Sequence, residues 1–227
     1  MKTNAFTLAE VLITLGVIGV VAVMTLPTVI SNFKKHTVET RLKNQVALIQ
    51  NAIRMAEAKH GSSTEWDVCD DSFECTKSRF EKYLAPELKV IKICDHDNFE
   101  ECWTEPSSLT GQKGYLKPDW DIALSAILYN GTSLYLWSGE NGNQMQIWFD
   151  IDGPNKGKAM LGGDVFGGVT SMARASIYSL PNPNPNNAND ARYYCSTEVS
   201  TQYAGRYCGY EIQANSWKIP KDYPVRF

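Results

Sequence analysis

The chain has 227 residues and a formal net charge of −3, from 22 Lys and Arg against 25 Asp and Glu. This balance excludes a broad basic surface for nucleic acid. Hydrophobic residues make up 43% of the chain, so it can bury a core and need not be disordered. The length allows one domain of ordinary size after an N-terminal segment.

An apolar segment, residues 6–30, follows the five-residue leader MKTNA and holds a single charge, Glu10. About 20 apolar residues in a helix cross a bilayer core, so this segment is long enough to span a membrane. Secretory signal peptides have a shorter core of about 7 to 15 residues and a small-residue cleavage site, and this sequence has neither. Because a carboxylate within a span is costly, we expect Glu10 to meet a positive group at its own depth.

The leader, Ala5, the run Phe6 to Glu10 and the apolar helix resemble the processing signal of type IV pilins and type II secretion pseudopilins. The resemblance implies that a prepilin peptidase cuts between Ala5 and Phe6 and methylates the new amine. The apolar helix is then retained. It also implies that Glu10 pairs with the Phe6 amine of a neighbouring subunit during filament assembly. The family usually has Gly at the position of Ala5.

Three further residues of the helix, Gly16, Gly19 and Pro27, resemble the family pattern in which the helix can unwind in the assembled fibre. Proline lacks the backbone N–H of a regular helix. Glycine weakens a helix by about 0.5–1 kcal/mol relative to alanine. These residues are therefore assigned to assembly together with Phe6 and Glu10.

A plain single-span anchor, with Glu10 at the membrane interface, is the alternative interpretation of the same segment. Charge flanking is an argument against the pilin-like interpretation, because only Lys2 and the amine precede the span while Lys34 and Lys35 follow it. The positive-inside rule then favours the reverse topology. The processing signal and the cysteines outweigh this rule in our interpretation, which places the C-terminal part outside the cytoplasm.

The six cysteines all lie after the span, and an even number in an exported segment is typical of a disulfide framework. Closeness in the chain favours the first with the second, the third with the fourth, and the fifth with the sixth. A crossed arrangement of the first four, Cys69 with Cys94 and Cys75 with Cys102, stays open. Zinc is a weaker rival because no C-x-x-C pair occurs. The residues concerned are Cys69, Cys75, Cys94, Cys102, Cys195 and Cys208, with His36, His60 and His96 as the histidines.

An amphipathic continuation of the helix is predicted over residues 31–60. Its apolar residues recur every three or four positions and form one stripe that faces a core. Gly61 is the expected stop. The stripe consists of Val38, Leu42, Val46, Ile49, Ile53 and Ala56. The resulting organisation is a leader at 1–5, a transmembrane or filament-core helix at 6–30, the amphipathic helix at 31–60 and a disulfide-bonded head at 61–227.

The first part of the head is predicted to contain a loop at 62–76, a short helix at 77–84, a strand at 88–94 and a second loop at 95–117. In the short helix, Phe80, Tyr83 and Leu84 share one side. The alternation of LKVIKIC favours the strand.

The clearest local signal in the head is a hairpin at 123–137, where Asn130-Gly131 supplies the positive φ angles of a type I′ turn. A third strand at 144–151 extends it to an antiparallel meander. Aromatic residues on these strands are expected to pack in the core. Near the C-terminus we predict an exposed loop at 182–190 and a strand at 207–212.

One cluster in the head has residue types that suit a metal ion. Asp150, Asp152, Asn155 and Asp164 lie in and after a tight acidic turn, and calcium binds oxygen ligands of this kind. The EF-hand spacing fails, because the twelfth position is Leu161. A strand that ends in an Asp-Gly-Pro turn explains the same residues. We therefore expect no cofactor, with a structural calcium ion at these four residues as the open alternative.

The sequence predicts an α+β protein with a long N-terminal helix packed on an antiparallel head. No enzyme signature is present. We expect a structural subunit of a pilus or a secretion pseudopilus, processed by prepilin peptidase in the inner membrane, with other pilin subunits as partners and no nucleic acid. The alternative is a membrane-anchored extracytoplasmic binding protein that does not polymerise.

Overall fold

The computed structural model describes residues 7–139, 144–171 and 193–227. These residues form two compact units. One consists of the chain up to Thr37 together with Arg226–Phe227, and the other is Val38–Val225. The expected leader at 1–5, the processing residues Ala5 and Phe6, and the expected loop at 182–190 lie outside the described residues.

The longest element is helix α1, Leu8–His60, whose second half belongs to the larger unit. All six residues of the predicted stripe are buried in that unit, which confirms the 3.6-residue periodicity. Gln45 and Ala52 are buried on the same face. The helix ends where predicted, at Gly61, whose φ is +84° and whose N–H donates to the Glu57 carbonyl at 3.0 Å.

A 3₁₀ turn, Ser63–Glu65, follows α1, and three short helical elements come after it in direct succession. Helix α2, Phe73–Arg79, continues through a π-helical turn, Phe80–Leu84, into helix α3, Ala85–Leu88. The predicted helix at 77–84 is confirmed, although the helical segment is longer at both ends. Its start is fixed by Ser72, whose hydroxyl accepts from the Cys75 N–H at 3.2 Å.

In the described part of the head, five strands form a sheet in the order β1-β2-β3-β4-β5, with every neighbouring pair antiparallel. The predicted strand at 88–94, the hairpin and the third strand of the meander are all present. The expectation of an α+β protein with a long N-terminal helix and an antiparallel sheet is therefore confirmed. The strands are β1, Val90–Cys94; β2, Leu124–Leu128; β3, Ser133–Gly139; β4, Gln144–Asp150; and β5, Val165–Ser171.

The turn between β2 and β3 differs from the predicted type I′ turn. The N–H of Gly131 donates to the Leu128 carbonyl, and the Leu128 N–H donates to the Thr132 carbonyl, both at 2.9 Å. Tyr129 and Asn130 thus form the centre of the turn, and Gly131 follows with a φ of +83°. This is the three-residue hairpin loop in which a glycine occupies the left-handed position. The hairpin was predicted correctly, but its turn type was wrong.

Strand β5 was missed by the sequence analysis because its sequence, VFGGVTS, contains two adjacent glycines. Gly167 pairs with Trp148 across β4 and β5, and a Cβ at Gly167 would lie only 2.1 Å from Trp148 Cδ2. The indole ring therefore occupies the volume that any side chain at Gly167 would need. The glycine is required by packing and does not mark a loop.

The core of the head is largely aromatic. Tyr135, Trp137 and Trp148 are buried, as predicted for residues on half-covered strands. They share one cluster with Phe99 and Trp103, and the Trp103 Nε1–H donates to the Leu116 carbonyl at 3.1 Å. A buried indole N–H is thereby satisfied inside the cluster.

The C-terminal segment contains a helix, α4, Cys208–Ala214, where a strand at 207–212 was predicted. The prediction was wrong because Cys208, Gly209 and Ile212 are the buried residues, a spacing of one helical turn. Beyond α4, Glu39 of α1 accepts from the Lys218 Nζ and from the Ile219 N–H, both at 2.9 Å. Residues 218 and 219 are thus hydrogen-bonded to the second half of α1.

Candidate assembly helix and acidic turn

The first turn of α1 is closed by Thr7 and Glu10. The Oε2 atom of Glu10 accepts from the Thr7 N–H at 2.8 Å and from the Thr7 hydroxyl at 2.9 Å, and the Glu10 N–H donates to the same hydroxyl at 3.3 Å. This reciprocal pattern is a capping box, in which an N-cap Thr and a Glu three residues later satisfy each other's N–H groups. The sequence signal, Thr-x-x-Glu at 7–10, was missed.

The capping box changes the expectation for Glu10. Its carboxylate accepts hydrogen bonds from Thr7 of the same chain, so a neighbouring subunit is not needed to supply all of its hydrogen-bond donors. The donors are neutral, however, and only the partial positive charge of the helix N-terminus acts on the carboxylate from within the described residues. The pairing of Glu10 with the Phe6 amine of another subunit stays a prediction.

The N-terminal part of α1 is apolar and exposed. Near the N-terminus it contains an 18-residue window that is apolar enough to cross a membrane, and none of the window is buried. A signal sequence passes the same test. The two threonine hydroxyls of this part donate to backbone carbonyls, Thr14 to Val11 and Thr25 to Val21, both at 2.9 Å. A hydroxyl that is satisfied within its own helix suits an apolar environment.

The residues expected to permit unwinding lie within an unbroken helix. Pro27 is inside α1, which continues on both sides of it. In the described part of the chain, a Cβ at Gly16 or at Gly19 would have no atom within 4 Å. Contacts within the chain therefore do not explain the glycines. Their role in unwinding of the assembled helix stays a prediction.

The acidic turn after β4 is held together by its own carboxylates. The Oδ1 atom of Asp150 accepts from the N–H groups of Asp152 and Gly153 at 2.9 and 3.2 Å. Asp164 accepts from the backbone N–H groups of the three residues 158–160 at 2.6 to 3.1 Å. Asp150 thus forms an Asx motif at the turn, and Asp164 stabilises the segment 158–160 that precedes it.

The four candidate calcium ligands are near one another in this turn, but most of their oxygens are engaged. A Cβ at Gly157 would lie 2.5 Å from Asp164 Oδ2 and 2.9 Å from Asp152 Oδ2, which places these two carboxylates side by side. Asp152 Oδ1 accepts from Arg41, and Asn155 Oδ1 accepts from the Thr104 hydroxyl. Among the described residues, no group of three His, Cys, Asp or Glu side chains is arranged to hold a metal ion. A structural calcium ion, which takes six to eight oxygen ligands, stays the open alternative for this turn.

One oxygen of this cluster, Asp150 Oδ2, is buried and has no hydrogen-bond partner within the described residues. Burial, followed by the charge of Asp164, raises the pKa of Asp150 to about 7. Burial also raises the pKa of Asp164. A substantial fraction of the Asp150 carboxyl is therefore protonated at neutral pH, which reduces the cost of burying it.

Three disulfides connect the cysteines that are closest in sequence: Cys69 with Cys75, Cys94 with Cys102, and Cys195 with Cys208. The crossed arrangement of the first four is therefore wrong. All six cysteines are consumed by these bonds, so none offers a thiolate to a metal ion.

Two contacts between the second half of α1 and the sheet were not expected from the sequence. Arg41 donates to Asp152 Oδ1 at 2.5 Å and to the Ile151 carbonyl at 3.3 Å, at the end of β4. Asn130 Nδ2 donates to Gln45 Oε1 at 3.1 Å, at the β2–β3 turn. The partners are 85 to 111 residues apart, and no local pattern predicts such pairs.

These features define the class of the protein: an α+β protein with a disulfide-bonded head and an N-terminal helix that is long and apolar enough to cross a membrane. Residues 28–108 and 180–227, together more than half of the chain, match a family of unknown function, DUF6613. The chain belongs to this family. No curated protein and no solved structure matches it. The matched ranges include all six cysteines but neither the first 27 residues nor strands β2 to β5.

Proposed function

We propose that the protein is a structural subunit of a type IV filament, either a pilus or a secretion pseudopilus, and that it has no catalytic role. The observation that carries the proposal is the exposed apolar helix with one carboxylate in its first turn, directly after a short polar leader. A prepilin peptidase removes residues 1–5 and methylates the amine of Phe6. Before assembly the helix resides in the inner membrane.

Assembly transfers the apolar helix from lipid to a bundle of neighbouring helices. The large side chains from Leu8 to Ile30 are exposed in the single chain, so they need an apolar environment in each state. Lipid supplies it before assembly and the helices of other subunits supply it afterwards. The apolar surface therefore stays out of water throughout, and the transfer requires little hydrophobic free energy.

Glu10 determines the register of neighbouring subunits in this mechanism. Both hydrogen bonds from Thr7 end on Oε2, and within the described residues Oε1 has no partner. This oxygen accepts from the methylated Phe6 amine of the next subunit, while Oε2 keeps the helix start closed. Because an unpaired charge in an apolar bundle is costly, a subunit in the wrong register is unstable.

The head is suited to a location outside the cytoplasm. Its three disulfides are stable in an oxidising compartment such as the periplasm or the cell surface. With the leader cut at the cytoplasmic face, the helix enters the membrane with the head exported. Filament subunits of the same or related sequence are then its main partners.

Cell fractionation tests the proposal against the alternative of a membrane-anchored binding protein. Filaments are sheared from cells, or collected from the periplasm, and probed for the chain with an antibody to the head. We expect the chain in the filament fraction, in fibres visible by electron microscopy. If it is found only in the inner membrane, as isolated subunits, the protein is an anchored head and the proposal is wrong.

A further inference from the structure

A short polar segment of α1, residues 31–37, lies between the apolar part of the helix and its first buried residue, Val38. The helix runs through this segment without a break, and the Thr37 hydroxyl donates to the Phe33 carbonyl at 2.9 Å. We call Phe33, Lys34 and Lys35 the basic belt. Because the backbone is helical here, sequence position determines where these side chains lie along the helix axis.

The uncharged stretch before the basic belt matches the thickness of a bilayer core. No charged residue occurs between Glu10 and Lys34, over the 23 residues 11–33. In a helix these residues span about 35 Å at 1.5 Å per residue, and the hydrocarbon core is about 30 Å thick. When Glu10 lies at one boundary of the core, the basic belt therefore lies among the lipid headgroups at the other boundary.

The two lysines of the basic belt have no partner in the described part of the chain. Neither ammonium group takes part in an ion pair or a hydrogen bond there. Glu39, one turn beyond Lys35, is the nearest carboxylate along the helix. It accepts from Lys218 Nζ at 2.9 Å, so the charge of Lys218 offsets it.

Other charges close to the basic belt do not reverse its sign. A carboxylate at the end of the chain, at Phe227, is matched by the charge of Arg226 in the same unit. Further along the helix, Asp152 is paired with Arg41. The two lysines therefore carry positive charge that the described chain does not compensate.

We propose that the basic belt binds the headgroups of anionic phospholipids and so sets the depth of the helix in the bilayer. A lysine at the end of a span extends its ammonium group to the headgroups, while its methylene groups lie along apolar surface. An anionic lipid surface attracts each such lysine. The Phe33 ring, which is 71% exposed, lies at the boundary between headgroups and acyl chains.

The inference rests on the membrane location in the proposed function and does not require filament assembly. Phospholipid headgroups cover both faces of a bilayer, so it holds for either orientation of the chain. It adds a partner, the anionic lipid, that acts on the single subunit before assembly.

Lipid selectivity of the full chain in bilayers tests the inference. The chain is reconstituted in phosphatidylcholine with traces of spin-labelled phosphatidylglycerol or spin-labelled phosphatidylcholine, and EPR measures the fraction of each label that the protein immobilises. We expect phosphatidylglycerol to associate about threefold more strongly at low salt, because it pairs with the lysines. In about 1 M NaCl the two lipids should associate nearly equally, since salt screens the charges.

Matched double variants separate the basic belt from general charge effects. Lys34→Gln with Lys35→Gln should lower the preference to about onefold. Lys113→Gln with Lys117→Gln removes the same charge from two exposed lysines of the head and should leave the preference unchanged. Lys2 is present in every variant, so a difference between them does not come from the leader.

Resistance to carbonate extraction measures membrane insertion separately. Equal association of the two lipids with a stably inserted chain overturns the inference and leaves the filament proposal intact. The same holds if the preference survives in the belt variant, or if the head variant loses it equally. A chain that carbonate removes from the bilayer overturns both the membrane location and the lipid site.

Discussion

Glu10 Oε2 lies 2.9 Å from the hydroxyl of Thr7, and the two residues close the first turn of the N-terminal helix. This contact offers a second explanation for a carboxylate that otherwise points to filament assembly. A capping role acts within one chain, whereas a register role acts between chains. The two roles make different predictions for substitutions at the two residues.

Thr7→Val and Glu10→Ala distinguish these roles. The valine removes the hydroxyl of the capping box and costs the helix start about 1 kcal/mol. We expect it to assemble nearly as well as the natural chain, because Glu10 keeps its charge. We expect Glu10→Ala to reduce the amount of filament by about tenfold or more, since the register pairing is lost. The measurement is filament yield after shearing, at matched levels of protein in the membrane. Equal losses in the two variants would assign Glu10 to helix capping alone.

The Trp148 ring over Gly167 gives a prediction for stability. Gly167→Ala places a Cβ against the indole, and we expect it to lower the free energy of unfolding by about 1–3 kcal/mol. Gly139→Ala is the matched control in β3, because its nearest neighbouring atom would be 3.6 Å away. That variant should change stability by less than about 0.5 kcal/mol. Urea denaturation followed by tryptophan fluorescence measures both. A Gly167→Ala variant as stable as the control would show that β5 does not pack against Trp148 in this way.

The buried Asp150 carboxyl predicts a pH dependence of stability. Its pKa is about 7 in the folded chain and has an ordinary value of 3.8, so between these values the folded state binds a proton that the unfolded state does not. The free energy of unfolding therefore rises as the pH falls from 8 to 5, by up to about 2.6 kcal/mol. Asp150→Asn keeps the Oδ1 acceptor and should make this rise smaller, while Asp164, whose pKa burial also raises, keeps its own contribution. Melting curves in EDTA at several pH values test it, and the same slope in the variant would contradict it.

Calcium gives a separate prediction for the acidic turn. The described carboxylate oxygens are mostly engaged by N–H groups of the chain and by Arg41, so we expect the thermal midpoint at pH 7.5 to be the same in calcium and in EDTA. Magnesium at equal ionic strength controls for screening. A rise in the midpoint with calcium alone, absent in Asp150→Asn, would instead assign a calcium site to this turn.

Elements with a regular repeat of apolar residues were predictable from the sequence, and contacts between distant segments were not. The stripe from Val38 to Ala56 repeats over five turns, so the burial of one helix face was evident. Residues 207–212 are too few to distinguish a helix from a strand, and α4 was misassigned. Strand β5 depends on Trp148 covering Gly167, a contact made only after the sheet forms.

The candidate sites show the same division. The Thr-x-x-Glu pattern of the capping box is local, so the sequence alone was sufficient to predict it. The contacts of Gln45 with Asn130 and of Arg41 with Asp152 join residues 85 and 111 positions apart, so only the fold brings them together. The acidic turn was located correctly. Whether its carboxylate oxygens are free depends on hydrogen bonds from backbone N–H groups, and the residue types alone do not predict these bonds.

The mass of the N-terminal peptide in protein taken from native membranes and filaments tests the central claim most directly. We predict a chain that begins at Phe6 with one methyl group on its amine, recovered from both fractions. A chain that retains Met1 to Ala5 and is found only as single subunits in the membrane would contradict the account.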